Sequence, residues 1–402
     1  TKNHTTVKND SRKKSLNYKK QILFCTHNLS LTEGAPRVLY SIIDALIRKY
    51  PEFSYRIIAG KEGPARKQLE KLGVKVDVCH DLFMEKQHWR RYGAALCDVY
   101  ENYLTELPDL VFSNTIDSFW GLDFAHRVGV KSLMLIHESS SPVEYFSRFE
   151  GEIAHRFLEV ISKTSKLLFV SNSTYDCYSP YINHDRVSIV PNGVDLHKIE
   201  QDKARYSRGG SRHFFSISDD TFVILSVGTT TERKGQDVLI IELSELKKLN
   251  PQFNFHCFIV GARENSFLQY LKQLAKTYDL ESNITFVSET DLVAQYYRSA
   301  DCLVIASKKE AAPLVSLEAF AFEVPVISTN VFGLAEQIED GVNALFFNPA
   351  EKGHLAKLIY QISQDKNLKE KIVTNAFQRI KEQFSLEQSI SYYIGHIEDI
   401  LK

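Results

Sequence analysis

From Gln21 onward, the chain alternates short apolar runs with longer amphipathic segments. The first run, QILFC, is followed by the glycine-containing turn LSLTEGAP and then by apolar residues at helical spacing. Pro36 suits a first helical position, and Gly34 lets the backbone turn tightly before it. Between Pro36 and Tyr50 the spacing predicts a helix with one apolar face, made of Val38, Leu39, Ile42, Ile43, Leu46 and Ile47.

The same alternation runs through the rest of the chain in two series. Apolar runs that predict strands occur first at YRIIAG, VKVDVC, DLVFSN, KSLMLIH, KLLFVSN and RVSIVPNG. The second series has runs at TFVILSVG, FNFHCFIVG, NITFVS, DCLVIAS, VPVIST and NALFF. Strands that alternate with helices at this spacing favour parallel sheets covered by helices on both faces. The pattern predicts an α/β protein with two doubly wound, Rossmann-like domains.

The pattern also predicts where these units begin and end. We expect a basic linker or tail over 1–20, an N-terminal domain over 21–197, a polar connection with RGGSR over 198–220, a C-terminal domain over 221–385 and a helix over 386–402. The last helix is amphipathic, and we expect it to cross back onto the N-terminal domain. In open parallel sheets a ligand binds beyond the carboxyl ends of the strands, so two facing domains predict a cleft that holds the site.

Composition limits the classes of partner. Of the 402 residues, 44% are apolar and 25% are charged, which is typical of a globular protein. The net charge of -1 lacks the basic excess of duplex-binding proteins, so we expect no nucleic-acid partner. Six scattered cysteines without a C-x-x-C pair favour reduced thiols in the cytosol over disulfides or a zinc site. No apolar run is long enough to span a bilayer, and we expect a cytoplasmic protein.

Two carboxylates surround a predicted helix start in the stretch EAAPLVSLEAFAFEVPVIST. Glu310 follows the strand DCLVIAS, and Glu318 lies inside a helix that begins near Pro313. The free N–H groups and the positive dipole end of such a helix suit a phosphate. Ionised carboxylates repel phosphate and only accept hydrogen bonds, so we expect them to hold hydroxyl-rich groups such as a sugar ring or a ribose diol.

The stretch VGTTTERKGQDVLI supplies cations. Arg233 and Lys234 precede Gly235 at the start of a predicted helix, where both side chains can turn into the cleft. Lysine offers a point charge and arginine a fork for phosphate oxygens. By itself this stretch favours an exposed basic turn, and only its combination with the two carboxylates indicates a phosphate site.

Together these stretches resemble the retaining glycosyltransferases of family 4, which have the GT-B fold. Matching motifs also include NLSLTEGAPRVL, VSNST, VPNGVD, YYRSADCLVIAS and DGVNALFFNP. The resemblance implies transfer of a sugar from a nucleotide diphosphate sugar to a hydroxyl acceptor, with retention of the anomeric configuration, in surface polysaccharide or glycoconjugate synthesis. It implies that the N-terminal domain binds a saccharide or lipid-linked saccharide acceptor and that the C-terminal domain binds the nucleotide sugar. No cofactor is expected besides this donor, and no metal, since the chain contains no Asp-x-Asp.

The resemblance also assigns roles to single residues. It places Glu310 near the donor sugar, Glu318 on the ribose, and Arg233 with Lys234 at the diphosphate. Gly34 matches a glycine that approaches the donor phosphate or the acceptor. His137, at the end of KSLMLIH, matches a histidine near the transferred sugar, although a lone histidine at a strand end is more often structural. The expected catalytic residues are Glu310, Lys234, Arg233 and His137, and the expected nucleotide-sugar-binding residues are Gly34, Thr229, Arg233, Lys234, Leu314, Val315 and Glu318.

Two departures from the family pattern affect the expected phosphate site. Phe-Gly often follows the first acid, but here Pro313 occupies the second place of that pair. Because proline has no N–H, the phosphate contact must come from Leu314 or Val315. An arginine common after the first strand of the second domain is here Thr229, for which Arg233 is the expected substitute.

A third departure is the pair Glu323-Val324, which stands where the family has a small, glycine-like position before PVIS, and the sequence offers no interpretation of it.

Two basic stretches leave open a contact with a membrane. The first twenty residues hold seven Lys or Arg and one acid, which predicts either a solvated linker or an arm for an anionic lipid surface. The stretch MEKQHWRRYG mixes Trp89 and Tyr92 with Lys86, Arg90 and Arg91. It is either an exposed basic loop with one packed aromatic or a surface that docks on a membrane carrying a lipid-linked acceptor.

Two rival functions remain open. One is another GT-B activity, such as that of a sugar phosphorylase or an epimerase, and the other is a non-catalytic GT-B binding protein. The presence of Glu310, Glu318 and Lys234 together argues against the non-catalytic protein. A nicotinamide oxidoreductase is disfavoured because no G-x-G-x-x-G follows the first strand.

Overall fold

The computed structural model describes residues 19–84, 86–103 and 106–402. Apart from Lys19 and Lys20, the predicted basic tail therefore lies outside the described residues. Within the described part, the strands of the N-terminal domain are β1 (Gln21–Thr26), β2 (Ser54–Ala59), β3 (Lys75–Val78), β4 (Leu110–Asn114), β5 (Lys131–Ile136), β6 (Lys166–Phe169) and β7 (Val187–Ile189). The strands of the C-terminal domain are β8 (Phe222–Val227), β9 (Phe255–Ala262), β10 (Ile284–Ser288), β11 (Cys302–Ile305), β12 (Val326–Thr329) and β13 (Leu345–Phe347).

Helices connect these strands in both domains. In the N-terminal domain they are α1 (Gly34–Lys49), α2 (Ala65–Lys71), α3 (His80–Met84), α4 (Trp89–Tyr103), α5 (Trp120–Val128), α6 (Pro142–Phe146), α7 (Gly151–Lys163) and α8 (Asn172–Tyr178). The following helices are α9 (Leu196–Arg205), α10 (Arg208–Phe214), α11 (Gln236–Leu249), α12 (Ser266–Thr277), α13 (Val293–Ser299), α14 (Leu314–Ala321), α15 (Leu334–Gln337), α16 (His354–Gln364), α17 (Lys366–Gln383) and α18 (Leu386–Leu401).

Both sheets are parallel and share one topology. Their orders are β3-β2-β1-β4-β5-β6-β7 and β10-β9-β8-β11-β12-β13 among the described strands. In each sheet the order reverses beside the first strand of the domain, which is the doubly wound arrangement predicted from the sequence. Ile22 of β1 pairs with Tyr55 of β2 on one side and with Leu110 of β4 on the other. The loops after β1, β4, β8 and β11 therefore lie at the switch points, where ligands of such folds bind.

Apolar side chains cover both faces of each sheet. The predicted first helix is α1, which begins at Gly34 rather than Pro36, and its residues Val38, Leu39, Ile42, Ile43 and Leu46 are buried as expected. They pack on β1, β2 and β4 in one core of the N-terminal domain, and Trp120, Phe124 and Phe157 belong to the core on the opposite face. Burial on both faces fixes the sheet as a rigid platform for the loops at its carboxyl edge.

The segment 198–220, predicted as a connection, is mostly helical and packs on the C-terminal domain. It contains most of α9 and all of α10, and RGGSR starts α10. Arg212 is 2% exposed, and its Nη2 donates to Asp301 Oδ2 over 2.5 Å. Arg208 donates to the carbonyl of Ala300 over 2.8 Å. Arg208 and Arg212, whose charges suggested a polar connection, thus form ion pairs with Asp301 immediately before β11.

The chain passes between the domains at two adjacent points. The N–H of Val194 donates to Phe384, and the N–H of Leu386 donates to Val194. A Cβ on Gly193 would lie 2.3 Å from the carbonyl oxygen of Ser385, so only glycine fits at this crossing. After the crossing, α18 packs Tyr393 and Ile397 into the core beside α1, where the amphipathic pattern had placed it.

Candidate active site in the interdomain cleft

The carboxyl edges of the two sheets face each other across a cleft. Lys309, in the loop after β11, donates to Glu144 of α6 over 2.7 Å. The side-chain amide of Asn192 donates to the carbonyl of Ala312 over 2.9 Å. Glu336 of α15 accepts hydrogen bonds from the backbone N–H groups of Asn172 and Ser173 at the start of α8. These contacts hold the domains together around the predicted site residues.

Glu310 is a buried carboxylate surrounded by donors. Lys234 Nζ lies 2.6 Å from its Oε1, Ser307 Oγ donates to the same oxygen over 2.8 Å, and Arg233 Nη1 lies 3.2 Å from its Oε2. Burial would raise the pKa of Glu310, but Lys234 and Arg233 outweigh that effect and hold the pKa below its ordinary value. The carboxylate is therefore ionised at neutral pH.

The basic turn is held against the loop that carries Glu310. Residues Glu232–Lys234 form one turn of 3-10 helix, and Gly235 follows with φ +66°. A Cβ on Gly235 would lie 2.0 Å from the carbonyl oxygen of Ala306, so this close approach also requires glycine. The N–H of Lys308 donates to Arg233, and Arg233 Nη1 donates to the carbonyl of Lys309 over 2.7 Å. The structure thus brings Arg233, Lys234 and Glu310 together, and their roles towards a ligand stay a prediction.

The helix α14 begins at the cleft, as predicted. Pro313 precedes it in extended conformation without a side-chain cap, so the N–H groups of Leu314 and Val315 are the first of the helix. Gly34, on the opposite domain, faces this helix start, because a Cβ built on Gly34 would lie 3.7 Å from Leu314 Cδ1. The loop after β1 and the start of α14 therefore face each other, which suits a phosphate between them.

Glu318 lies one turn further along α14 and is 7% exposed. Its Oε1 accepts a hydrogen bond from Arg37 Nη2 over 2.7 Å, and its Oε2 accepts one from the Tyr297 hydroxyl over 3.1 Å. Arg37 belongs to α1 of the N-terminal domain, and Tyr297 belongs to α13 of the C-terminal domain. Both domains thus contribute to the setting of this carboxylate.

Thr229 stands where the family pattern has an arginine, and Arg233 is the expected substitute; the two residues make different contacts. Thr229 follows β8, and its carbonyl accepts a hydrogen bond from the side chain of Gln236 over 3.1 Å. It thereby supports the turn, whereas Arg233 is the residue that meets Glu310. The roles of Arg233 as the substitute for the missing arginine and of Thr229 in nucleotide-sugar binding stay predictions.

His137 lies on the opposite wall of the cleft, at the end of β5. Its Nε2 is 3.0 Å from Asn114 Oδ1, and the amide of Asn114 donates to the carbonyl of Ala35 over 3.1 Å, which links His137 to the turn at Gly34. Burial lowers the pKa of His137 to about 3, so the imidazole is neutral at physiological pH. It can donate or accept a hydrogen bond but carries no charge for a phosphate.

A polar cluster next to His137 had no signal in the sequence. Glu138 accepts hydrogen bonds from the N–H groups of Ile116 and His137, each over 3.0 Å, and burial raises its pKa to about 8. Asp117 contacts Lys86 and the hydroxyl of Tyr145. Burial would raise the pKa of Asp117, but Lys86 brings it below its ordinary value.

Backbone strain occurs at the start of this cluster. Thr115 has φ +76°, a conformation that a β-branched residue rarely adopts, and it immediately precedes the N–H held by Glu138. Such strain persists only where the surroundings enforce it, and it concentrates at functional sites.

A further contact between the domains involves Glu33 in the loop after β1. Glu33 accepts hydrogen bonds from Asn28 over 2.9 Å and from Arg263 of the C-terminal domain over 2.9 Å, and its Oε2 lies 3.2 Å from His27 Nε2. The contact with His27, despite partial burial, lowers the pKa of Glu33 to about 2. Within the quoted stretch TEGAPR, neither Glu33 nor Arg37 showed its interdomain partner, because those partners are more than two hundred residues away.

The described residues of the stretch MEKQHWRRYG lie partly in the interior and partly at the surface. Trp89 begins α4, Tyr92 is fully buried and donates to Asp123 over 2.9 Å, and Lys86 is 5% exposed. Only part of the stretch, including Arg90 and Arg91, is at the surface. Tyr92 and Lys86 are therefore not available to a membrane, and contact of the exposed part of this stretch with a membrane stays a prediction.

The described residues contain neither a membrane-spanning helix nor a cluster of metal ligands. No helix there combines the length and the apolar character needed to cross a membrane. Nor do three His, Cys, Asp or Glu side chains of residues 19–84, 86–103 and 106–402 come together in a way that would hold a metal ion.

Comparison with known proteins extends this picture. Residues 210–379, less than half of the chain, match the family described as glycosyl transferases group 1. An uncharacterized glycosyltransferase of Methanocaldococcus jannaschii is 28% identical over 203 residues, which cover 50% of this chain and 51% of that protein. A D-inositol 3-phosphate glycosyltransferase of Paenarthrobacter aurescens is 30% identical over 238 residues, 56% of this chain and 55% of that protein. The chain spans about half the length of these curated relatives.

A solved structure extends the similarity to nearly the whole chain. HepE of Anabaena, crystallised with UDP and glucose, superposes with a TM-score of 0.77 over 94% of this chain and 99% of that one, at 18% identity. Similarity at this identity shows the fold. The chain therefore has the two-domain GT-B fold, and its residues 210–379 match the glycosyl transferases group 1.

Proposed function

We propose that this protein is a retaining glycosyltransferase that moves a sugar from a nucleotide diphosphate sugar to a hydroxyl acceptor. The observation that carries the proposal is the meeting of Lys234 and Arg233 with Glu310 beside the start of α14. Cations and helix N–H groups suit a diphosphate, and a buried ionised carboxylate suits sugar hydroxyls. The matched glycosyltransferases support the same reaction class.

The chain's own residues can hold the donor in the following way. The N–H groups of Leu314 and Val315 receive the diphosphate, and Lys234 and Arg233 neutralise it. Each cation has more than one N–H, so each can keep its contact with Glu310 while it binds a phosphate oxygen. When the bond between the sugar and the diphosphate breaks, the electron pair stays on the phosphate oxygen, and these donors stabilise the new charge. Because this charge is met by protein cations, we propose that transfer needs no metal.

The acceptor is proposed to bind on the N-terminal side. His137, Asn114, Asp117 and Glu138 present uncharged or paired polar groups there, which suits hydroxyl groups of a saccharide. A saccharide or lipid-linked saccharide in surface polysaccharide or glycoconjugate synthesis fits this wall, and we place the protein in the cytoplasm. The relative of Paenarthrobacter aurescens is a D-inositol 3-phosphate glycosyltransferase, and that compound carries a phosphate group. In this protein the cation on the wall, Lys86, is already paired with Asp117.

Binding and turnover of defined nucleotide sugars test the proposal. UDP-, GDP- and ADP-linked hexoses are screened for a rise in the unfolding temperature, since a bound ligand stabilises the folded state. HepE was crystallised with UDP-glucose as well, so UDP-glucose is the first donor to test. The donor that binds is then incubated with mono- and oligosaccharides, and the anomeric configuration of the product is read by NMR.

We expect release of the nucleoside diphosphate and a product with the donor's configuration. An inverted product would contradict retention. If added inorganic phosphate cleaves an oligosaccharide to sugar 1-phosphate and the shortened saccharide, the protein is a phosphorylase. Interconversion of two nucleotide sugars would identify an epimerase, and binding without turnover would favour a non-catalytic protein.

A further inference from the structure

Arg37 is a cation of the N-terminal domain that contacts the C-terminal domain at a proposed donor-binding carboxylate. Its Nη2 donates to Glu318 Oε1 over 2.7 Å, across 281 positions of sequence. The Tyr297 hydroxyl occupies the other oxygen over 3.1 Å. Glu318 is thus fixed by one donor from each domain, which sets the direction of both its oxygens.

The position of Arg37 is determined by α1. Gly34 starts this helix opposite Leu314, and Arg37 follows one turn later, so its side chain runs alongside α14 from the phosphate end towards Glu318. The charge of Glu318 raises the pKa of Arg37 above its ordinary value, although the arginine is partly buried. The pair is therefore held by opposite charges as well as by a hydrogen bond.

The carboxylate keeps acceptor positions that its two partners do not use. A carboxylate has about four lone-pair positions, of which Arg37 and Tyr297 use two. The two hydroxyl groups of a ribose match the number of positions that remain. A carboxylate already oriented by two donors loses less freedom when the ribose binds, and such preorganisation increases affinity.

Resting on the proposed nucleotide-sugar function, we propose that Arg37 is a positioning residue for the donor ribose. It orients Glu318 from the opposite domain, so the ribose site is complete only when the two domains are in contact. Nucleotide affinity then depends on a residue that lies outside the nucleotide-binding domain.

Calorimetry with matched nucleotides tests this assignment. Wild-type protein is titrated with UDP, GDP and ADP, and the one that binds is compared with its 2′,3′-dideoxy analogue. Arg37→Gln should weaken the ribonucleotide about tenfold, the effect of one lost charge-assisted hydrogen bond. The same variant should change the affinity of the dideoxy analogue less than about twofold, because that ligand makes no contact with Glu318.

Two further variants separate positioning from folding. Arg37→Lys keeps the charge and should recover part of the ribonucleotide affinity. Arg48→Gln removes an arginine of the same helix whose side chain is 75% exposed and pairs with Asp44, so it should leave binding of both nucleotides unchanged. A structural defect would instead weaken the ribonucleotide and the dideoxy analogue alike.

Each remaining outcome overturns the assignment in a distinct way. Equal weakening of both ligands means that Arg37 contacts the phosphates or only supports the fold. Tighter ribonucleotide binding by Arg37→Gln means that Arg37 occupies the ribose position and must be displaced. If the wild type binds nucleotide and Arg37→Gln behaves like it, only this inference fails; if the wild type binds none of the three, the proposed function fails with it.

Discussion

Lys234 and Glu310 form a short ion pair, with Nζ 2.6 Å from Oε1, between loops that follow two neighbouring strands. The lysine side chain is 15% exposed and the glutamate side chain 7% exposed, so this pair is largely shielded from solvent. The same lysine is proposed to receive the charge of the leaving diphosphate. Lys234 therefore has a structural role towards Glu310 and a proposed chemical role towards the diphosphate, and two measurements on one variant can tell them apart.

Lys234→Ala should reduce turnover at least about a hundredfold, because it removes a donor aimed at the developing charge. It should also lower the free energy of unfolding by about 1–3 kcal/mol, since Glu310 remains buried with fewer donors. The rate of donor consumption and urea unfolding measure the two effects. Lys248→Ala removes a lysine that is 60% exposed and should change neither by much. Near-native turnover in Lys234→Ala would exclude its catalytic role.

Replacing Glu318 in α14 and replacing Glu310 in the loop before it should impair different steps, nucleotide binding in the first case and transfer in the second. Glu318→Ala should weaken binding of the nucleoside diphosphate without its sugar by about 1–3 kcal/mol, because a charged hydrogen bond to the ribose is lost. Glu310→Ala should leave that binding nearly unchanged and strongly depress transfer, since its contact is proposed to be with the sugar in the transition state. Calorimetry and initial rates test the two halves. Equal losses of nucleotide affinity in both variants would show that the roles are not divided in this way.

Transfer should persist without divalent metal. The proposed diphosphate site uses Arg233, Lys234 and the N–H groups at the start of α14, and the chain has no Asp-x-Asp sequence. Initial rates are measured in excess chelator and after addition of magnesium or manganese. Activity that disappears with the chelator and returns with either metal would contradict this prediction.

Glu323→Gly should stabilise the protein. Glu323 has φ +59°, a left-handed conformation that costs a side-chain-bearing residue about 1–2 kcal/mol. The greater freedom of glycine in the unfolded chain and the loss of the surface pair with Lys203 offset part of the gain, so we expect about 0.5–1 kcal/mol. Urea unfolding measures the change.

A matched substitution controls for this prediction. Glu370→Gly, at an exposed position inside α17, should instead destabilise by about 1 kcal/mol, because glycine is unfavourable within a helix. Destabilisation by Glu323→Gly of the same size as by Glu370→Gly would show that the strain at Glu323 is not released.

Glu138 should make stability depend on pH. Burial raises its pKa from 4.5 to about 8, so the protonated form is favoured in the folded state. This contribution is complete below the unfolded pKa and is lost as the pH rises through the folded pKa. Relative to Glu138→Gln, the wild type should therefore lose stability between pH 4.5 and 8, by up to about 1.4 kcal/mol per pH unit.

Urea unfolding of both proteins at each pH measures that difference. Subtracting one curve from the other cancels the contribution of other titrating groups such as His137. Glu152→Gln, at an exposed position of α7, serves as the control and should track the wild type. A wild-type curve parallel to that of Glu138→Gln across the window would show that Glu138 does not hold a proton there.

Glu323 stands at a position where the family pattern has a small residue, and the pattern alone gives no reason for that preference. The family resemblance implied a small residue before PVIS, and the backbone angle of Glu323 supplies the reason. Glycine adopts that angle without strain, and glutamate does not. The conformation ends α14: the N–H of Val324 donates to the carbonyl of Ala319, and the residue before it takes the left-handed conformation at which glycine commonly follows a helix.

The sequence by itself determined the architecture. Each apolar run proposed as a strand, from QILFC to NALFF, corresponds to one of the strands β1 to β13, because burial on both faces leaves a run of apolar residues between turn signals. The order of motifs along those strands also led to Glu310, Lys234 and Arg233, since loops after parallel strands meet at one edge of a sheet.

Tertiary structure alone decided the contacts between distant parts of the chain. The polarity of residues 198–220 suggested a linker, but buried partners such as Asp301 pair with Arg212 and bring the segment into the domain. The stretch with Tyr92 and Lys86 left their positions open, and only their partners Asp123 and Asp117 place both in the interior. Arg37 and Glu318 meet across 281 positions, and a charge on a helix surface does not reveal which opposite charge the folded chain will bring to it.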